Sequence, residues 1–329
     1  MVIALVGATG LVGKTMMRVI EEQQLPFTDF IPCASVRSAG KEVKLNNKTY
    51  RVRRMEEALE ARPELVIFSA GSAISKEFAP AFAEAGAFVI DNSSAWRGEP
   101  DVPLVVPEIN ANTISPDTKI ISNPNCSTIQ MVLALAPIHQ KYGIRRVVIA
   151  TYQSVTGTGI AAIQQLYNER DGQQGPMAYP HPIDMNCLPA GGDFDEQGYS
   201  AEEMKLVNET RKILNAPEMY ITATAVRVPV TGGHSEAVNL ELENDFDLSE
   251  IKKMLEETDG VVVEDDPGNH VYPMPKYAEG KDEVFVGRIR RDFSLDYGVN
   301  LWIVTDNLRK GAATNAIQIA RYLIDNQYL

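Results

Sequence analysis

Val2-Ile3-Ala4-Leu5-Val6 runs directly into Gly7-Ala8-Thr9-Gly10-Leu11-Val12-Gly13, and then into a stretch bearing Met16, Met17, Val19 and Ile20. Five apolar residues bounded by a glycine have the length of a buried strand, and the later apolar positions recur at helical spacing. A strand, a glycine turn and a helix in that order cradle the pyrophosphate of a dinucleotide. Backbone approaches an anion only where side chains are absent, and a helix N-terminus favours negative charge. The spacing is GxxGxxG where the better known fingerprint is GxGxxG. Glycines so placed also suit a tight strand-to-helix turn that binds nothing, so the segments that follow must decide.

They repeat the pattern. Residues 30–34 form a second apolar run, ending at Ser35-Val36-Arg37-Ser38-Ala39-Gly40. A site for NAD places an acid at this point to bond the ribose hydroxyls. Here an arginine stands between two serines, which suits a 2′-phosphate and points to NADP; the alternative is a solvated loop cation. Residues 65–69 end at Ala70-Gly71-Ser72, and residues 87–90 end at Asp91-Asn92-Ser93-Ser94, with a helical stretch over 76–85 between them. Strand ends with small polar residues are where an open parallel sheet takes its ligand. Arg97 follows soon enough in the chain to reach the same crevice, although a lone arginine there is equally a surface residue.

The next apolar run stops at a turn that presents a cysteine: Ile120-Ile121-Ser122-Asn123-Pro124-Asn125-Cys126-Ser127-Thr128. Beyond it, Ile129, Val132, Leu133 and Ala136 share one helical face. Cys126 therefore sits where free N–H groups and the helix dipole favour a thiolate. A thiol of ordinary pKa, roughly 8.5, is only slightly ionised near neutrality, so such a position makes cysteine a working nucleophile. Otherwise Cys126 is a small buried residue without a chemical role.

At 329 residues the chain exceeds what one core usually holds, so two domains are expected. The net charge of -13 argues against non-specific binding to nucleic acid or an anionic membrane. Anionic substrates must then be held by a few local Arg or Lys residues. Cys33, Cys126 and Cys187 are widely spaced and form no metal-ligand pattern, which reads as free thiols in a reducing compartment. Met1 leads straight into an apolar strand with no basic leader or membrane-length segment, so a cytoplasmic protein is expected.

The second half has another texture. Residues 146–152 read as a strand ending in Gln153-Ser154-Val155-Thr156-Gly157-Thr158-Gly159, a loop able to approach a ligand closely. Residues 171–198 are rich in Gly, Pro, Asp and Asn and read as a long irregular excursion, either an exposed flap or a contact between subunits. Ser200-Ala201-Glu202-Glu203 opens a helix with a capping box, and Lys205 lies three residues after Glu202, a pairing common on solvated helix faces. Residues 221–230, containing Arg227, alternate as an antiparallel strand does. Thr231-Gly232-Gly233-His234-Ser235-Glu236 follows as a turn, and 237–243, 283–289 and 298–305 continue the sheet. His234 at that glycine turn is either a candidate general base or a surface histidine. Residues 308–324 read as a final helix returning to the first domain.

A nicotinamide site suggests hydride transfer, which needs no thiol. An activated cysteine beside it suggests interconversion of an aldehyde and an acyl derivative through a thioester. At this point the motifs GATGLVG, SNPNCST, TYQSVTGTG, SAEEMK and RVPVTGGHSE, in this order, resemble those of the aspartate-semialdehyde dehydrogenases over essentially the whole chain. The resemblance implies an NADP-dependent, phosphorylating homodimer linking L-aspartate 4-semialdehyde to L-4-aspartyl phosphate, on the route to lysine, methionine and threonine. It implies a doubly wound Rossmann domain over 1–125 with 308–329. Over 126–307 it implies a glyceraldehyde-3-phosphate-dehydrogenase-like α+β domain, catalytic and dimerising, on a mixed and largely antiparallel sheet.

Carried over by motif, Cys126 is the nucleophile with Asn125 beside it, His234 the acid/base and Gln153 the group orienting the intermediate. Glu202 and Arg227 would hold the substrate's amino and carboxylate ends, and Arg97 and Lys205 phosphate. Gly7, Thr9, Gly10, Leu11, Val12, Gly13, Ser35, Arg37, Ser38, Ala70, Gly71, Asn92, Ser93, Gly157 and Asn307 would line the cofactor site; no metal is expected. The competing enzyme is N-acetyl-gamma-glutamyl-phosphate reductase, whose acylated amine would give Glu202 no partner. A catalytically silent NADP-binding protein of the same fold is the other alternative.

Overall fold

The computed structural model describes all 329 residues, which divide into two compact units: residues 1–125 with 312–329, and residues 126–311. The first begins with β1 (Val2–Val6), α1 (Leu11–Glu22) and β2 (Asp29–Cys33). A short hairpin, β3 (Glu42–Leu45) and β4 (Lys48–Arg51), turns on Asn46 and Asn47, both at positive φ. Then come α2 (Met55–Glu60), β5 (Leu65–Phe68), α3 (Ser72–Glu84), β6 (Phe88–Asp91), α4 (Pro107–Asn110) and β7 (Ile120–Ser122). β2, β1, β5, β6 and β7 lie side by side in that order, all parallel.

Because both faces of a parallel sheet are covered, its strands are apolar without alternation. Ile3, Leu5, Ile67, Ile90 and Ile121 share one core with Met16 and Ile20 of α1 and Ile317, Ile319 and Leu323 of the C-terminal helix Asn315–Asp325. Ala4, Val6, Val66, Phe68 and Val89 face the other way, onto Ala58 of α2 and Ala79 and Phe82 of α3. Asn315 ties that helix to the strand ends: its Nδ2 donates to the Val105 carbonyl (2.9 Å) and to Asn123 Oδ1 (2.7 Å). Asn123 Nδ2 in turn donates to Asn92 Oδ1 at 2.5 Å.

The second unit opens with α5 (Cys126–Tyr142) and continues through β8 (Ile144–Gln153), α6 (Ile160–Arg170), α7 (Ala201–Ile213), β9 (Tyr220–Arg227) and β10 (His234–Leu242). It closes with α8 (Leu248–Glu256), β11 (Val261–Val263), α9 (Pro275–Ala278), β12 (Val284–Asp292) and β13 (Gly298–Thr305). The sheet order is β11-β12-β13-β10-β8-β9. Helix α5 is buried nearly all round, as a helix apolar on every side must be.

The structure differs from the sequence expectations at three points. β9 runs parallel to β8, not antiparallel; alternation reports a half-covered sheet but not strand direction. His234 opens β10, paired opposite Thr305, instead of sitting in a loop. The final helix runs without a break from Arg309 to Asp325, its first stretch, Arg309–Thr314, being π-helical, and the return to the first unit falls at Ala312 and not at 308. No helix is long and apolar enough to cross a membrane.

Candidate active site

In the first unit, the end of β1 forms the cradle. Gly7 has φ +83, and a Cβ there would lie 2.2 Å from the Ser69 carbonyl oxygen, so only glycine lets the turn pass the end of β5. Helix α1 begins after Gly10 and α3 after Gly71; neither has a side-chain cap or an acid in its first turn. Their leading N–H groups are left for an anion. Thr9, Leu11 and Val12 are half-buried around this turn, Ala70 is half-buried, and Ser35 and Arg37 are exposed at the end of β2 with Ser38 half-buried beside them. These features fit a dinucleotide.

Two neighbours are engaged locally. Ser93 donates its hydroxyl to Asp91 Oδ2 (2.6 Å) and accepts from the Ala95 N–H (3.1 Å), so its side chain braces the strand end. Burial raises the Asp91 carboxyl despite those bonds. Arg97 Nη2 donates to the Asn92 carbonyl at 2.9 Å.

In the second unit, Cys126 is the first residue of α5 and is half-buried, directly after the buried Asn125. Gly311 of the π-helical turn presses against it: a Cβ on Gly311 would lie 2.9 Å from the Cys126 Cβ. One residue on, Ser127 Oγ accepts from Gln153 Nε2 (2.9 Å), and that same amide nitrogen lies 3.4 Å from Glu202 Oε1. Glu202 Oε2 accepts from Lys205 Nζ at 2.9 Å. With Glu202 only 6% exposed, this is not a solvated surface pair. Its neighbour Glu203 completes the capping box with Ser200 and accepts from the Ala225 N–H (2.8 Å), fastening α7 to β9.

His234 is fully buried. Its Nδ1 accepts from the Ser154 N–H at 3.0 Å, which leaves the neutral ring with its proton on Nε2. Burial first, then the Arg227 guanidinium, lower its pKa to about 3, against a counter-pull from Glu202. Gly157 faces the space these groups share: a Cβ there would come within 2.8 Å of Arg227 Nη1 and 3.1 Å of His234 Nε2. Asn307 reaches the same loop, accepting from Thr156 Oγ1 at 2.9 Å.

The 171–198 excursion is anchored at this wall. Leu188 and Arg227 exchange both backbone hydrogen bonds (2.9 and 2.8 Å), and Ile183 and Leu188 pack with Val155 and Leu166. Gly191 lies against Glu202, where a Cβ would come within 2.5 Å of the Glu202 Cβ. Composition marks such a segment as irregular and gives no sign of where it docks. Cys187 is exposed. Nowhere do three or more His, Cys, Asp or Glu side chains gather as a metal site would need.

Residues 2–116 match the family described as "Semialdehyde dehydrogenase, NAD binding domain", and residues 135–310 match "Semialdehyde dehydrogenase, dimerisation domain". The chain is 49% identical over 331 residues to the aspartate-semialdehyde dehydrogenase of Aquifex aeolicus, covering 98% of this chain and 97% of that one. It is similar to the crystal structure of Vibrio cholerae aspartate semialdehyde dehydrogenase II complexed with ASA, with TM-score 0.95, 44% identity and 99% and 98% of the two chains covered. It is also similar to the Candida albicans enzyme crystallised with NADP, with TM-score 0.78, 26% identity and 100% and 99% covered.

Proposed function

The chain belongs to the aspartate-semialdehyde dehydrogenase family, and we propose that it interconverts L-4-aspartyl phosphate and L-aspartate 4-semialdehyde with NADP, through a thioester on Cys126. One observation carries this reading. The residues required for acyl transfer, Cys126 with Gln153, Glu202, Lys205, Arg227 and His234, belong to one unit, and its strands and helices tie most of them into one hydrogen-bonded wall.

The positive end of α5 favours the Cys126 thiolate. Its sulfur attacks the acyl carbon, a C–S bond forms, the C–O bond to phosphate breaks, and the phosphate leaves with that electron pair and takes a proton from solvent. Arg97 and Lys205 offset the charge of the phosphate. Glu202 receives the substrate ammonium and Arg227 its carboxylate, while Gln153 orients the acyl group. NADPH, when bound at the β1 turn with Arg37, Ser35 and Ser38 toward its 2′-phosphate, supplies the hydride that reduces the thioester. The His234 Nε2–H then donates to the oxyanion. Collapse restores the carbonyl, returns the electron pair to sulfur and releases the aldehyde.

As part of the same reading, the protein works in the cytoplasm as a homodimer, in the biosynthesis of lysine, methionine and threonine. The six-stranded sheet leaves Tyr152, Tyr220 and Val262 exposed for a second copy. The covalent step is tested by incubating the protein with the semialdehyde and NADP without phosphate, quenching in acid and mapping the adduct by peptide mass spectrometry. An aspartyl thioester on the Cys126 peptide is expected. NADPH formation with no adduct there would contradict the scheme.

A further inference from the structure

Beneath the first turn of α5 lies a group of buried polar side chains with no part in the reaction as set out above. Glu236 on β10 is 0% exposed, paired opposite Thr151 of β8 and Ile303 of β13, two residues from His234 on the same strand face. Neither carboxyl oxygen receives a well-directed hydrogen bond, and the buried Gln130 amide likewise has none, an arrangement that is satisfied only when the carboxyl itself has a proton to donate. The polar side chains nearest it are Gln130 and Ser127, both near the start of α5, and the buried Thr151 directly opposite on β8. Ser127 is also the residue whose Oγ accepts from Gln153 Nε2 at 2.9 Å. A buried charge is costly without a partner, and no cation is among the groups acting on Glu236. Burial accordingly pushes its carboxyl well above the usual range, with only partial relief from Gln130 and Ser127.

We propose that Glu236 is a positioning residue: its carboxyl, enclosed between β10 and the start of α5, braces Ser127 and Gln130, and through Ser127 fixes the Gln153 amide. A carboxylate in that place would oppose the helix end that favours the thiolate. A neutral carboxyl can both donate and accept, so it can hold two polar neighbours at once. The other titratable groups around this wall include Cys126 at the head of α5, His234 on β10, Glu202 and Lys205 on α7, Arg227 on β9 and the buried Lys310 beside Gly311. The inference rests on the proposed reaction, since Gln153 needs orienting only if it meets the reacting acyl group.

Glu236→Leu and Glu236→Gln, each checked for fold and NADP binding, test it through steady-state kinetics, the pH profile of Cys126 alkylation by iodoacetamide, and infrared spectra at neutral pH. Losing the brace in E236L should lower kcat at least about tenfold with KM values within about twofold, and E236Q should restore kcat to within about threefold of wild type. The alkylation midpoint should be the same in E236Q as in wild type, and a protonated-carboxyl band should vanish in E236Q. Full activity in folded E236L, or E236Q as impaired as E236L, would overturn the proposal. A lower alkylation midpoint in E236Q would also overturn it, because it would expose a charge. Should E236L fail to fold, E236Q and its spectra decide alone. A wild-type protein inactive on the semialdehyde would remove the proposed reaction, while the alkylation and infrared results would still report the state of Glu236.

Discussion

His234 shows how far burial can set the role of a single residue. Its Nδ1 is occupied by the Ser154 N–H and its pKa lies at about 3, so between pH 5 and 8 it is neutral with its proton at Nε2. In the proposed reaction that suits it to donate a hydrogen bond to a developing oxyanion, where the sequence suggested an acid/base group near pH 6.5. In kinetics, kcat should show no ionisation near 6.5 that disappears on replacing His234. Asn, which can also accept from Ser154 and donate, should retain at least about tenfold more activity than Ala. Equal losses, with a titration near 6.5 in the wild type, would restore the general-base role. Stability follows the same sign. Below about 6.5 the unfolded histidine takes up a proton that the folded one refuses until about pH 3, so this group's contribution falls as pH falls through that window. The loss is about 1.4 kcal/mol per pH unit at most, and His234→Asn should remove it from the pH dependence of urea unfolding. The residue type and its place near Arg227 were legible in the sequence. Its tautomer was not, because that depends on a backbone N–H eighty positions away.

Among the elements, α5 and the π-helical turn that touches it matter most. Apolar spacing after Cys126 announced the helix, and the strand and glycine turn before α1 were equally plain, since both are local patterns. The π-helical turn was not, because Arg309–Thr314 contains no large apolar residue whose spacing would show the extra residue; such turns often lie at functional sites. Gly311→Ala tests its contact with Cys126. The new Cβ would have to displace backbone and side chain around the sulfur. Turnover and Cys126 alkylation should both fall at least about tenfold while NADP binding stays near normal; unchanged alkylation would show that the turn yields freely. The direction of β9 could have been read. More than sixty residues separate β8 from β9, including α6 and α7, and a long crossover suits parallel neighbours where a short turn suits antiparallel ones. Helix α7 was better marked: its capping box, worth about 1 kcal/mol, appears in Ser200 and Glu203, and the bond Glu203 accepts from the Ala225 N–H fastens the helix to β9 with Glu202 on its buried side.

For the molecule as a whole, the order of motifs carried more than any one of them. Strand ends at Ser35, Ala70 and Asn92 pointed to a cofactor crevice, and SNPNCST followed by TYQSVTGTG and RVPVTGGHSE pointed to the proposed chemistry. What stayed hidden were contacts between distant stretches: the Asn92, Asn123 and Asn315 ladder, the docking of Leu188 on Arg227, and the buried Glu236. Each is a hydrogen-bonding or packing choice made in three dimensions by residue types that occur anywhere on a surface. The central claim, a phosphorylating NADP-dependent enzyme acting on the four-carbon amino aldehyde through Cys126, is tested most directly by NADPH formation from purified protein. Aspartate 4-semialdehyde is compared with N-acetylglutamate semialdehyde, NADP with NAD, reactions with and without phosphate, and wild type with Cys126→Ala. Phosphate-dependent reduction of NADP with aspartate 4-semialdehyde, abolished in the folded, NADP-binding Cys126→Ala protein, is the result predicted. Activity confined to the acetylated substrate, or turnover that survives loss of the thiol, would contradict it.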